Sequence, residues 1–450
     1  MFRKLYITAI FSLIFFVGVN AQENNISVEN SNGGIKLTSS DNEYQVSING
    51  RIYMDGFHYL DDATDLSSHL SINDIRFGTN IRWGKWSAKV NIGFGNNKVN
   101  IKDAFLRFNH KKNSTFTVGN FFEPFGIEAS ETSKNLRFIG SSNTTQAMGI
   151  GRSIGLGYTF YTQKLYLSTG LFAGSVNNHN KGDQGFSTSS KAAYSPIQNE
   201  SFTFQIGGSF TYRKPEANGF SKDFNDDDYN RVVTFAAGPE HKFLNATMKG
   251  ARSDMRFNFQ SVTLSGPFML QAEYTQAKVT RDDDYALRLM KDNPYWTHTA
   301  GGGYAWPIKP SDYPDWYGEL RDIETKAYYA QLGFLLGDEY KYNPSTSYIR
   351  RPKSGTFEFL VRYDHTDLND IDGTYFNGAY GDPDLNAALG GYGNMSIQGG
   401  KATTYSLAIN YYVSTNVMFR LNYDYMDVDN QKTPLDENIG IFKGRVQINF

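Results

Sequence analysis

The sequence predicts an all-β chain: a 16-stranded antiparallel transmembrane β-barrel with short periplasmic turns, long outer loops and one inward constriction loop. Three observations predict it. Apolar and polar residues alternate in segments of about ten residues, the length at which a tilted strand crosses a bilayer. The connections between these segments alternate short and long along most of the chain. Finally, the chain has 34 Phe and 30 Tyr, yet its mean hydropathy is −0.49. A barrel accounts for that combination, because only an outer band and two aromatic girdles need be apolar while the interior is polar.

The N-terminus sets the compartment. Arg3 and Lys4 precede an apolar run from Leu5 to Val19, and small residues follow to Ala21. A basic n-region, a short apolar stretch and a small-residue site predict a secretory signal peptide over 1–21. The run falls short of the about 20 apolar residues that a spanning helix needs. No later stretch is long and apolar enough for one either, so a membrane-embedded mature chain must be a closed barrel. The chain has no cysteine, which excludes a lipoprotein anchor and a disulfide framework. Residues 22–43 are expected to form a short periplasmic segment and 44–450 the barrel. The formal net charge of −2 becomes −4 once Arg3 and Lys4 are removed.

Side chains on a strand point alternately to opposite faces. In the first segment, 44–58, Tyr44, Val46, Ile48, Gly50 and Ile52 alternate with Gln45, Ser47, Asn49, Arg51 and Tyr53. The same test predicts strands at 70–83, 86–96, 99–109 and 114–121, and, after a long connection at 122–149, at 150–161, 164–175 and 187–196. The second half gives 201–213, 254–264, 267–281, 325–337, 355–366, 401–413, 416–428 and 440–450. That makes an even number, as single-chain bacterial barrels have. With the N-terminus periplasmic, the turns at 84–85, 110–113, 162–163, 197–200, 265–266 and 414–415 are short. The outer loops at 122–149, 214–253, 282–324 and 367–400 are long. The outer connection at 97–98 is unusually short and the periplasmic one at 338–354 unusually long.

In the last segment, Phe442, Gly444, Val446, Ile448 and Phe450 alternate with Lys443, Arg445, Gln447 and Asn449. A strand that ends the chain on an aromatic resembles the C-terminal signal of bacterial outer-membrane barrels. That likeness implies recognition of Phe450 by the barrel-assembly machinery.

A wider resemblance is carried by phrases in order along the mature chain. They are INGRIYMDG, RFGTNIRWGKWSAKVNIGFG, IKDAFLRFNHKKNSTFTVGNFFEPFGIE and GRSIGLGYTF, then GPFMLQAEYTQAKV, AYYAQLGFLLGDEYKYN, GTFEFLVRYDHTDL, YSLAINYYVSTNVMFRLNYDY and GRVQINF. Together they resemble the phosphate-selective porin O and P family of Gram-negative outer membranes, and the richness in Tyr, Asn and Gly is similar to Bacteroidetes members. The resemblance implies a homotrimer in contact with outer-membrane lipid and lipopolysaccharide. It also implies passage of small anionic solutes, phosphate or polyphosphate foremost, along a row of lumenal arginines helped by lysines near a constriction. The loop at 122–149 occupies the constriction position, and the connection at 338–354 the position of a periplasmic loop that turns into the barrel.

Alternation assigns the lumen without the family. Its basic members are Arg51, Arg76, Arg82, Lys89, Arg107, Lys191, Arg213, Arg256, Arg362, Arg420, Lys443 and Arg445. Its acids are Asp55, Asp74, Asp103, Glu273, Glu358, Asp364 and Asp424. Rows of Arg and Lys select anions, and the Arg fork suits phosphate oxygens. The expected anion path is Arg51, Arg76, Arg82, Lys89, Arg107, Arg362 and Arg420. Lys134, Arg137 and Arg152 are the constriction candidates, and Arg350, Arg351 and Lys353 the periplasmic-exit candidates. The acidic excess lies in outer loops at 223–229 and 282–285 and at Asp61, Asp62 and Asp65.

The alternative is a mixed-charge general diffusion porin for small hydrophilic solutes, saccharides included. It draws on acids spaced to neutralise the arginines: Asp74 with Arg76, Asp103 with Arg107 and Glu358 with Arg362. A barrel hydrolase is disfavoured, since the seven histidines show no Ser–His–acid spacing. In 367–378, Leu368 falls at the first ligand position of an EF-hand pattern. No metal, cofactor or nucleic-acid partner is expected. A transporter with about 22 strands and a plug needs a longer chain.

Overall fold

A computed structural model describes residues 26–31, 34–60, 66–95, 98–177, 184–217, 231–238, 242–281, 321–370, 397–429 and 437–450. The signal peptide over 1–21, the acidic runs at 223–229 and 282–285 and Asp61, Asp62 and Asp65 lie outside the described residues.

A short hairpin comes first, β1 (Ser27–Ser31) and β2 (Gly34–Thr38). The barrel starts with β3 (Tyr44–Leu60), β4 (His69–Trp83), β5 (Trp86–Gly95), β6 (Lys98–Lys111) and β7 (Ser114–Phe122). A short helix, α1 (Asn143–Met148), precedes β8 (Arg152–Tyr161), β9 (Leu165–Phe172), β10 (Phe186–Gln198) and β11 (Phe202–Lys214). A second hairpin, β12 (Val232–Ala237) and β13 (Leu244–Lys249), leads to β14 (Ala251–Ser265), β15 (Phe268–Arg281) and β16 (Ile323–Leu336). The two-residue strands β17 (Tyr342–Asn343) and β18 (Tyr348–Ile349) come before β19 (Thr356–Asp370), β20 (Ile397–Tyr412), β21 (Val417–Asp429) and β22 (Glu437–Asn449). Sixteen of these strands pair antiparallel in sequence order, and β22 returns to β3 from Gly440↔Leu60 to Asn449↔Arg51. Closure leaves no open edge in the hydrocarbon, which is the condition for strands to cross lipid.

All sixteen predicted strands are present. Their outward residues, among them Leu156, Leu171, Leu407 and Leu421, are exposed and apolar. Aromatic rings cluster near each end, as in the tilted Trp86–Phe108 pair at 4.7 Å and the stacked Phe357–Tyr411 pair at 4.2 Å near the short turns. Tyr328, Tyr363 and Tyr405 group toward the outer end, with centroids 6.1 and 5.4 Å apart. Such rings suit the two membrane interfaces, apolar in body and polar at the tip.

The sheet and its outer mouth hold more than the sixteen strands. The N-terminal hairpin joins the barrel sheet: β2 pairs with the lower part of β3, Ile35↔Ile48 to Thr38↔Gln45, while β22 pairs with the upper part. Phe450 and Gly50 exchange backbone hydrogen bonds at 2.9 and 2.5 Å, so the chain end itself is a ladder position. In the outer mouth, hairpin β12–β13 buries Val233, Phe235, Leu244, Ala246 and Met248 against wall residues such as Val279, Ile323, Met426 and Ile441. The lumen is therefore apolar at that level, because an apolar hairpin, not water, faces the wall.

Candidate functional site

The inward loop at 123–151 is fixed by side chains from across the barrel. At its root Glu123 is fully buried and accepts from Ser153, Ser187 and Ser189 Oγ at 2.6, 2.9 and 2.7 Å and from Arg213 at 2.6 Å. One turn on, Ile127 and Glu128 N–H donate to the Glu273 carboxylate at 2.9 and 3.0 Å, and Asn258 adds a third donor at 2.9 Å. Gly126 has φ 62° here, and a Cβ would lie 2.6 Å from Glu273 Oε2, so the turn requires glycine. At the far end, Asn143 N–H and Thr144 Oγ1 donate to Asp364. Between them Arg137 meets Glu358 at 3.0 Å, and Tyr340, Asn410 and Tyr412 also donate to that carboxylate, at 2.8, 2.8 and 2.7 Å. A buried carboxylate is costly unless it is hydrogen-bonded or paired: Glu123 and Glu358 have both, with Arg213 and Arg137, while Glu273 and Asp364 are held by neutral donors.

These anchors change the charge balance expected from sequence. Glu273, Glu358 and Asp364 are occupied by the loop and do not neutralise the wall arginines. Asp103 pairs with Lys89 at 2.8 Å and Arg152 at 2.7 Å, not with Arg107. Glu358 pairs with Arg137, whereas Arg362 lies 3.5 Å from Glu128 and over the Phe138 ring at 4.2 Å. Only Asp74 keeps its expected partner: it accepts from Arg76 at 2.9 Å and also from Arg51 at 2.5 Å.

On the periplasmic side of the loop lies a chamber of about 1040 Å³ lined by Lys89, Arg107, Lys134, Arg152, Lys191, Arg350 and Arg351, with Asp103 and Glu131 as its only acids among the described residues. The connection at 338–354 folds up into the barrel, with Tyr340, Tyr342 and Ile349 buried against Leu264, Met269 and Leu360. That fold carries Arg350 and Arg351 to the chamber. Among the described residues Arg107, Lys134, Lys191, Arg350 and Arg351 have no carboxylate partner. Aromatic faces back several of the cations: Arg107 over Phe105 at 4.4 Å, Arg152 over Phe122 at 3.6 Å and Lys191 over Tyr348 at 4.7 Å. Above the loop, a second cavity of about 540 Å³ has Asp55, Asp364 and Asp424 set against Arg362, Lys443 and Arg445.

The structure thus gathers Lys89, Arg107, Lys134, Arg152, Arg350 and Arg351 of the expected site residues into one chamber. Arg51 and Arg76 share Asp74, and Arg51 also donates to Ser133 Oγ on the loop at 2.5 Å. Arg82 is exposed near the periplasmic end of β4, registered against Ser87 at the chamber rim. Arg420 belongs to no open path. It is 2% exposed and donates to the loop carbonyls of Leu136 and Lys134 at 2.6 and 3.4 Å, so it is a clamp. Arg137 is likewise spent on Glu358. Lys353 stays outside the chamber, because Asp338 holds its backbone N–H at 2.8 Å and its ammonium at 3.3 Å on an exposed turn. Strict alternation also misses Lys102. A β-bulge opposite Asn91 and Ile92 turns it inward beside Gly93, near Arg51, Arg76 and Arg152.

A closed 16-stranded barrel with an inward loop and a water-accessible basic lumen defines an outer-membrane porin of a Gram-negative bacterium. The chain belongs to the phosphate-selective porin O and P family, which it matches over residues 46–450. It is 20% identical to Porin O of Pseudomonas aeruginosa over 445 residues, 91% of this chain and 89% of that protein. Among solved structures, it resembles the loop L8 deletion mutant of OmpT, an outer membrane protein of Vibrio cholerae, with a TM-score of 0.52 and 10% identity, covering 91% of this chain and all of that one. The high-pH structure of Pseudomonas putida OprB gives a TM-score of 0.50 and 11% identity, covering 91% and 95%. At these identities the solved structures speak for the fold alone.

Proposed function

We propose that this porin is an anion-preferring channel for passive uptake of small solutes, with phosphate-like oxyanions the leading class, and not an enzyme. One observation carries the reading: the periplasmic chamber holds seven cationic side chains against two carboxylates. Guanidinium groups on neighbouring walls can pass an oxyanion between them, each interaction weak enough in a wet lumen to be reversed. The proposed path runs along Arg51 and Arg76, past Lys89, Arg152 and Arg107, and out by Lys134, Arg350 and Arg351.

The charge-balanced upper cavity favours a second reading, a mixed-charge general diffusion pore. Reversal potentials in a planar bilayer under a KCl gradient separate the two. Anion preference that falls in Arg107→Gln and Arg152→Gln, with chloride current blocked by millimolar phosphate, supports the first. Cation preference, or selectivity unmoved by both substitutions, supports the second.

The family likeness further supports a homotrimer in contact with outer-membrane lipid and lipopolysaccharide, a signal peptide removed after Ala21, and recognition of Phe450 during assembly. The hydrolase reading has little support. His58 and His365 face outward, bonded to Ser68 and Thr403 at 3.1 and 3.0 Å, and His365 packs on Tyr328 in the outer ring cluster.

A further inference from the structure

The carboxylates of the lumen are almost all engaged. Asp55 binds Arg445 at 2.6 Å, Asp103 binds Lys89 and Arg152, and Asp424 binds Lys443. Glu131 differs. It lines the basic chamber from the inward loop, and its carboxylate accepts one hydrogen bond, from Asn135 Nδ2 at 3.0 Å, four residues further along the same loop. It has no ion-pair partner among the described residues. The charged and titratable groups facing it are Glu128 and Arg137 on its own loop, Lys191 from β10 and Tyr348 from β18. Lys191 is already committed, donating to Gly126 O at 2.6 Å.

We infer that the free Glu131 carboxylate is a selectivity-determining residue, a fixed negative charge that limits how strongly the basic chamber excludes cations. This rests on the reading of that chamber as the ion path. A charge at about 6 Å from a permeating ion in water-like surroundings changes its occupancy by about threefold, so one carboxylate among seven cations is enough to register. A purely structural role is separable from this one. Glutamine keeps the shape and the acceptor for Asn135 while removing the charge.

Glu131 lies outside the spanning strands, and burial raises its carboxyl to about 7. Above that pH it is ionised and opposes anions; below it the group is neutral. Anion preference should therefore strengthen as the pH falls through about 7.

The test is the reversal potential of purified full-length channel in a KCl gradient, from pH 5 to pH 8.5, for wild type, Glu131→Gln, Glu131→Asp and Arg107→Gln. Heat-shifted gel mobility verifies that each variant is folded. The expected result is an anion-to-cation permeability ratio about tenfold higher in Glu131→Gln at pH 8.5, since anion occupancy rises and cation occupancy falls by about threefold each, converging with wild type at pH 5. Glu131→Asp should retain a pH dependence. If wild type prefers anions and Arg107→Gln reduces that preference, but Glu131→Gln matches wild type at every pH, this inference fails alone. If wild type has no anion preference and Arg107→Gln changes nothing, the chamber reading fails and this inference with it.

Discussion

Arg137 and Glu358 stand 221 positions apart in the chain, yet Arg137 Nη1 meets Glu358 Oε1 at 3.0 Å inside the barrel. The guanidinium comes from the inward loop and the carboxylate from β19. Tyr340, rising from the periplasmic connection, donates to the same carboxylate and lies 5.2 Å below the Arg137 guanidinium. One buried ion pair thus ties the outer loop, the wall and the periplasmic loop together.

Replacing Glu358 by alanine should leave Arg137 buried without its counter-charge, at a cost of about 3–5 kcal/mol. The expected outcome is a folded barrel whose inward loop has become labile. Proteolysis at Lys134 and Arg137 in detergent should accelerate, and single-channel current should flicker. Equal protease resistance in Glu358→Ala and wild type would show that the pair does not hold the loop.

Gly126→Ala places a Cβ 2.6 Å from Glu273 Oε2 on a residue at φ 62°. Backbone strain of about 1–3 kcal/mol, together with displacement of the carboxylate, should detach the loop root. The measurement is chemical denaturation of the refolded protein. A midpoint within error of wild type would mean that the turn relaxes freely.

Phe235 is 1% exposed within the apolar packing of the outer mouth. Phe235→Ala removes about 3–5 kcal/mol of packing from that site. Because the closed barrel does not depend on β12–β13, the effect should appear as larger or noisier conductance, with the heat-shift temperature unchanged. Unaltered conductance would place the permeation path clear of the hairpin.

Deleting Phe450 removes the ladder exchange with Gly50 and the aromatic end of the chain. Outer-membrane levels in a bacterial host should fall sharply, while the protein refolded in detergent still forms β structure. Normal membrane levels of the truncated chain would show that the last residue serves only the ladder.

Period-two alternation was enough to place every barrel strand, because lipid outside and water inside act on every second residue. Hairpin β12–β13 does alternate, with Leu244, Ala246 and Met248 buried and Asn245 and Thr247 exposed, but its strands have 6 residues each, short of the about ten that cross a bilayer. Strands β17–β18 have 2 residues each, too few to show any period. Lys102 was hidden for a different reason: a one-residue bulge reverses the faces beyond it. Gly126 and Glu123 lie within the phrase FEPFGIE, which marked the loop root without revealing what it grips.

The sequence by itself determined the compartment, the barrel, the strand count and the excess of basic residues on the lumenal face. These follow from local periodicity and from the demand that every backbone group in lipid be paired. Only the tertiary structure decided which charges are free. Glu358 looks in sequence like a partner for Arg362, but Arg137 of the inward loop occupies it, and the same loop donates to Glu273 and Asp364. Arg107, Lys134, Arg350 and Arg351 are left facing water, while Arg420 is buried under the loop. Charge pairing in a lumen is set by which walls face each other across the barrel, and that is a property of closure and loop folding, not of neighbours in the chain.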